Sequence, residues 1–221
     1  MIKYPKKSVL IAVVAIVGIV WLGTGLYVTN QRRIEAEETA IRTRNSVWVT
    51  EQKSLLASGE RSSIYFYSTS HTDEMVAMFA GMPEIKKLGF ELTDLSNTGF
   101  PHVANLPNLT ELMLYGGRHP IDSKGFEALR GHPSLEKLEL INTHVTDHGL
   151  ELLKTLPKLI ELELYRDSFR ERFLTDAAKV QLRDLRALRK LTIAGGWMSE
   201  STINELREEL PNCAIGTVSS Q

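Results

Sequence analysis

The stretch HVTDHGLELLKTLPKLIELEL, residues 144–164, opens with His144 and His148 four positions apart around Asp147. Histidines at i and i+4 on one helix can share a metal ion, and a carboxylate between them could orient a ring or take a proton. Helix phase argues against this. Asp147 is a residue type that caps a helix start, which places His144 before the helix and off the face that carries His148. The remaining histidines fall in other stretches, and spacing supplies no third ligand. Patterns of the GxSxG, Walker A, GxGxxG or HExxH kind do not occur. Glu139 and Glu163 face each other if their strands are neighbours, but a carboxylate pair on a solvated sheet reads as surface charge. The expectation is a chain with no catalytic residue, no metal, no cofactor and no small-molecule substrate.

The elements that position these residues repeat. Pairs at Met82-Pro83, Leu106-Pro107, His132-Pro133, Leu156-Pro157, Leu185-Arg186 and Leu210-Pro211 recur at intervals of 24, 26, 24, 29 and 25 residues. Two positions beyond each pair comes Ile85, Leu109, Leu135, Leu159, Leu188 or Cys213. Three further on, Leu88/Phe90, Leu112/Leu114, Leu138/Leu140, Leu162/Leu164 and Leu191/Ile193 alternate as a strand would, and Ile64/Phe66 precede them in phase. Ten residues before each Pro or its replacement stand Asp73, Asn97, Ser123, Asp147, Asp176 and Ser201, all strong helix N-cap types. Each unit therefore reads strand, turn, cap, helix. Leu150, Leu153 and Leu156, or Phe126 and Leu129, supply the apolar face of the helix.

The best copy, LELINTHVTDHGLELLKTLPKLIEL, carries Leu138, Leu140, Thr143, Val145, Thr146, Asp147, Gly149, Leu150 and Leu153 in an LxLxxTxVTDxGLxxL arrangement. It resembles the leucine-rich repeat family in its ribonuclease-inhibitor-like form, of the bacterial membrane-anchored type. The resemblance covers roughly residues 64–215 and is specific as architecture, unspecific as function. It implies an α/β solenoid, a leucine-rich repeat domain of about six units over residues 61–221, with a parallel concave sheet and helices on the convex side. Two departures stand out, at Gly116-Gly117-Arg118-His119-Pro120 and at the inserted YRDSFRERFLTDAAKV, where Arg166 to Arg172 form a loop. Each is either a binding feature or a tolerated surface insertion.

Strand alternation assigns the residues displayed on the concave face. A first column runs Ser63, Lys87, Glu111, Lys137, Glu161, Lys190, a ladder of alternating sign expected to serve register and solubility. A second runs Tyr65, Gly89, Met113, Glu139, Glu163, Thr192, and a third Tyr67, Glu91, Tyr115, Ile141, Tyr165, Ala194. Tyr65, Tyr67, Glu91, Met113, Tyr115, Glu139, Ile141, Glu163 and Tyr165 form the candidate partner-binding strip, rich in the aromatic residues that interfaces favour.

The N-terminus differs in kind. No charged residue occurs between Ser8 and Gln31, and Val9 to Val28 is almost wholly apolar. Twenty helical residues span about 30 Å, a bilayer's hydrocarbon core, and no Ala-x-Ala cleavage site follows. Trp21 and Tyr27 lie toward one end, where aromatic rings favour the interface. Residues 1–30 therefore read as a cytoplasmic tip and uncleaved signal-anchor, and residues 31–60 as a helical stalk and N-terminal cap, with Leu55 and Leu56 covering the first repeat. Lys3, Lys6 and Lys7 are nearly balanced by Arg32, Arg33, Arg42 and Arg44. The orientation favoured is a single pass with the C-terminal domain extracytoplasmic, periplasmic if the source is bacterial. A net charge of −1, from 26 basic and 27 acidic residues, gives no field for nucleic acid, and the lone Cys213 supplies neither a disulfide nor a redox pair. The expected role is a non-catalytic, membrane-anchored module that binds a protein partner through its concave sheet. The alternatives are a structural or assembly spacer without a specific ligand and, more weakly, part of a sensor whose output lies on another chain.

Overall fold

A computed structural model describes residues 7–116, 121–166 and 174–218, with side chains described from residue 24 onward except residue 25. Within it the chain divides into two compact units, Met1–Val47 and Trp48–Gln221. The expected loops at residues 117–120 and 167–172 lie outside the described residues.

The second unit is built on seven parallel strands in chain order, β1 (Ser63–Tyr67), β2 (Lys87–Glu91), β3 (Glu111–Tyr115), β4 (Lys137–Ile141), β5 (Glu161–Tyr165), β6 (Lys190–Ala194) and β7 (Ala214–Val218). The register matches the expected columns residue for residue, from Ser63 opposite Lys87 to Tyr165 opposite Ala194. It also adds a strand. The closing segment, expected only as a cap, pairs with β6 from Lys190–Ala214 to Ala194–Val218. Its alternation, Ile215 then Thr217, is too weakly apolar to announce a strand from sequence.

Between strands the chain returns through short helices: α2 (Thr72–Ala77), α3 (Phe100–Ala104), α4 (Ser123–Phe126), α5 (Lys179–Leu182) and α6 (Glu200–Glu209). The return of the best copy is a 3-10 helix, His148–Thr155, where an α-helix is expected. Leu150, Leu153 and Leu156 are spaced by three, the period of a 3-10 helix, and all three are buried. With Leu138, Leu140 and their equivalents they form one continuous core along the sheet.

The cap residues need correction. Asp147 stands at the N-cap position of its helix as expected but makes no side-chain cap bond there, and Asp73, Asn97, Ser123, Asp176 and Ser201 do not stand at the cap positions of theirs. Capping falls one position earlier in the middle units: the Asp122 carboxylate accepts from the Lys124 and Gly125 amides at 2.8 and 3.1 Å, the Thr146 hydroxyl from Gly149 at 3.2 Å, and the Thr175 hydroxyl from Ala177 at 3.1 Å. In the last unit the cap is Ser199, which accepts from Thr202. All of them but Ser201, which belongs to the last unit, reach sideways into the next unit. Asp73 accepts from the Ser96 amide at 2.8 Å, Asn97 from Asp122 at 3.3 Å, Ser123 from Thr146 at 3.4 Å, Asp147 from Thr175 at 2.8 Å and Asp176 from Ser199 at 2.7 Å. One polar ladder thus ties every unit to its successor. Glycines make room for it, since a Cβ on Gly99, Gly125 or Gly149 would come within 2.1, 2.0 or 2.3 Å of Asp73, Asn97 or Ser123. Repeats of this kind are held together by neighbour contacts.

The first helix, α1, runs from Lys7 to Ala57. Its final turns belong to the second unit, where Val49 and Leu56 are fully buried and the Trp48 ring lies 5.3 Å from Phe66 and 6.3 Å from Phe79. Leu56 covers the first repeat as expected, while Leu55 is half-exposed. Among the described residues, no helix is long and apolar enough to cross a membrane. The span expected to do so is helical within α1, but the side chains of Val9 and Trp21 lie outside the described residues; Val28 is described and is exposed.

Candidate interaction face

Helices cover one face of the sheet, and the other displays the three columns. The aromatic column is real as a spatial row. Tyr67 pairs with Glu91, Glu91 with Tyr115, Tyr115 with Ile141 and Ile141 with Tyr165. Tyr67 and Tyr65 are 64% and 56% exposed, Tyr165 is 37% exposed, and Met113, Tyr115 and Ile141 are half-buried among their neighbours. Ala194 is buried, so the row loses its accessible surface at β6.

Gly89, in the second column, has a positioning role that sequence alone does not reveal. A Cβ there would lie 2.4 Å from Tyr65 Cδ1 and 3.0 Å from Met113 Cε. The Tyr65 ring therefore lies across β2 toward Met113, and the missing side chain is what lets it do so.

The charges do not form the simple ladder expected of the first column. Lys87 does pair along it, with Glu111 at 2.7 Å. Lys137 leans instead into the second column, 2.6 Å from Glu139 and 3.7 Å from Glu163, while Lys190 reaches Glu163 at 3.0 Å and Glu161 at 3.9 Å. The reason lies in the register. Glu139 and Glu163 are direct partners on adjacent parallel strands, and like charges so placed repel. The flanking ammonium groups offset that repulsion. The hydrogen bond to Glu139 raises the Lys137 pKa against a smaller opposing effect of burial, and the one to Glu111 raises that of Lys87. Both carboxylates are thus engaged by lysines, Glu139 by Lys137 and Glu163 by Lys137 and Lys190.

At the turn edge of the sheet, Asp94 accepts from the His71 and Thr72 amides, both at 2.8 Å, and holds His71 in the left-handed region at φ 59°. Burial works against its charge, but the Thr72 and His71 hydrogen bonds prevail and lower its pKa. Asp147 is turned toward Thr175, while the exposed His148 lies 3.3 Å from Glu151. Among the described residues no group of three His, Cys, Asp or Glu is placed to hold a metal ion. Burial pushes the Cys213 thiol above its ordinary value, as for a small core residue.

No family model matches the sequence, and no curated protein is matched by it.

Proposed function

We propose that this chain is a leucine-rich repeat protein of the ribonuclease-inhibitor-like form, fixed to a membrane by residues 9–28, that captures a protein partner through the open, concave face of its sheet. The observation that carries this reading is the row Tyr67, Glu91, Tyr115, Ile141 and Tyr165, which joins exposed rings to apolar side chains on adjacent strands. Tyr presents large contact area at small entropic cost, Met113 adds adaptable apolar contact, and such clusters anchor interfaces. The lysine-clamped carboxylates beside the row supply a polar rim. Most binding energy would then come from Tyr65, Tyr67, Met113, Tyr115 and Tyr165, and register from Glu91, Glu139 and Glu163. The repeat domain lies on the extracytoplasmic side.

Photo-crosslinking residues placed at Tyr115 and Tyr165 in intact membranes test the reading. One specific protein should be captured, and Tyr115→Ala with Tyr165→Ala should abolish its binding while the melting curve is retained. Unchanged binding by that double variant refutes the strip, and absence of any captured protein favours the spacer. Protease given access to the extracytoplasmic side should cleave the repeat domain while the inner membrane is intact; cleavage only after that membrane is permeabilised would overturn the exported orientation.

A further inference from the structure

The two ends of the sheet are finished differently. Beside β1, the last turns of α1 close the core with Val49 and Leu56, both at 1% exposure or less. Beside β7 the core-facing Ile215 is only half-buried, and Val218 is 54% exposed. Terminal repeats in such stacks ordinarily carry a polar cover. The sequence of β7, Ala214-Ile215-Gly216-Thr217-Val218, has no charge and no proline, and its pairing with β6 is uninterrupted by a bulge. Those are the devices by which an edge strand is kept from pairing.

The hydrogen-bond phase of the edge is fixed by its ends. The Ala214 amide donates to the Arg189 carbonyl at 2.8 Å, and the Gly195 amide donates to the Val218 carbonyl at 3.1 Å. Parallel pairing uses alternate residues, so Ala214, Gly216 and Val218 face β6. The N–H and C=O groups of Ile215 and Thr217 point outward. Among the described residues the contact that reaches this outer row is a long one, Arg207 Nη2 to the Ile215 carbonyl at 3.5 Å.

Gly216 adds an independent sign. A glycine inside a strand costs stability and often marks the close approach of another backbone. A Cβ on Gly216 would meet no atom within 4 Å, whereas those on Gly89, Gly99, Gly125, Gly149 and Gly195 would collide with neighbours. Among the described residues nothing within one copy of the chain requires the glycine.

We propose that β7 pairs with β7 of a second copy of this chain, antiparallel, about a two-fold axis at Gly216. The five residues are self-complementary in that register. Ile215 lies opposite Thr217 of the second copy and exchanges both main-chain hydrogen bonds with it, and the symmetry repeats the exchange. Gly216 faces Gly216 at the axis, where the close non-hydrogen-bonded spacing falls. Val218 lies against Ala214 of the second copy, and no charge meets its own image. The sheet becomes continuous through the two molecules, with both open faces on the same side. An edge of five residues makes a small interface, so the dimer belongs to the weak, concentration-dependent class. This pairing does not depend on the partner-binding role of the open face.

The test uses the full chain in neutral detergent. Sedimentation across a concentration series up to about 100 μM should show a monomer–dimer equilibrium. Thr217→Pro removes an outward N–H and leaves the bonds to β6 intact, so it should weaken the dimer at least tenfold at an unchanged melting temperature. Ala214→Lys, which sets a charge against Val218 of the second copy, should do the same and serves if the proline variant does not fold. Disulfide trapping fixes the register. Cys213→Ser with Gly216→Cys should crosslink under mild oxidation, because a Cα separation of about 4.5 Å suits a disulfide. Cys213→Ser with Lys158→Cys, at an exposed site away from the edge, should not. A monomer throughout, a dimer indifferent to both edge variants, or no crosslink at position 216 would overturn the pairing.

Discussion

Asp147 of one repeat holds Thr175 of the next: its carboxylate accepts the Thr175 amide at 2.8 Å and the Thr175 hydroxyl at 2.5 Å. The two residues are 28 positions apart, across the inserted loop, and the contact keeps the polar ladder unbroken where the period is longest. Hydrogen bonds to a charged acceptor contribute roughly 1.5–3 kcal/mol when sheltered and less when exposed. Asp147→Ala should therefore lower unfolding free energy by about 1–2 kcal/mol, read from the urea midpoint. Asp147→Asn keeps an acceptor for the amide and should recover about half of the loss.

Leu92 follows β2 with φ at +52°, in the left-handed region. The corresponding turn after β4 places Asn142 there at +51°, and after β6 Gly195 at +94°. A leucine in that conformation costs about 1 kcal/mol or more, and its side chain is 44% exposed, so little burial is at stake. Leu92→Asn should stabilise the protein by about 1 kcal/mol in thermal melts. No gain in melting temperature would show that the turn is relaxed as it stands.

His132 takes the place that leucine holds before the prolines at 107 and 157, and it is 4% exposed with Nε2 3.1 Å from the Leu106 carbonyl. Burial lowers its pKa below the ordinary 6.5, only partly countered by that hydrogen bond. The unfolded chain therefore gains a proton before the folded chain does. Above about pH 6.5 the ring adds no pH dependence; as pH falls through that value stability is lost, until the folded-state ring is protonated too. Urea midpoints of the natural chain should fall between about pH 7.5 and 5.5, and those of His132→Leu should fall less.

Gly89→Ala would put a methyl group against the Tyr65 ring, which is the free end of a half-exposed side chain and can yield. The fold should survive at a cost of about 1 kcal/mol or less. The Tyr65 ring resonances should shift in NMR spectra while those of Tyr165, three strands away, stay in place. If the open face captures a partner, this variant should weaken capture without touching a residue of the aromatic row.

Several features were legible from residue types alone. Apolar-x-apolar pairs at a period of 24 to 29 residues fixed six strands, their parallel order, and the side chains on each face. Alternation leaves no freedom of register once one face must be buried. The same spacing turned His144, Asp147 and His148 from an apparent metal cluster into one turn of a repeat. What the sequence could not give depends on atoms far apart along the chain. The cap positions slipped by one because oxygen-bearing residues stand side by side in Thr146-Asp147 and Thr175-Asp176, and only stacking decides which caps its own helix and which reaches the next. Lys137 and Lys190 reach out of their own column because two glutamates of the adjacent column meet across β4 and β5. Gly89 and Gly216 read alike in sequence. Packing separates them, since one lies beneath a ring and the other beneath empty space. Periodicity along the chain thus determines the layers and faces, and the tertiary structure decides which neighbouring unit each polar group serves, because that choice is made by distance between repeats.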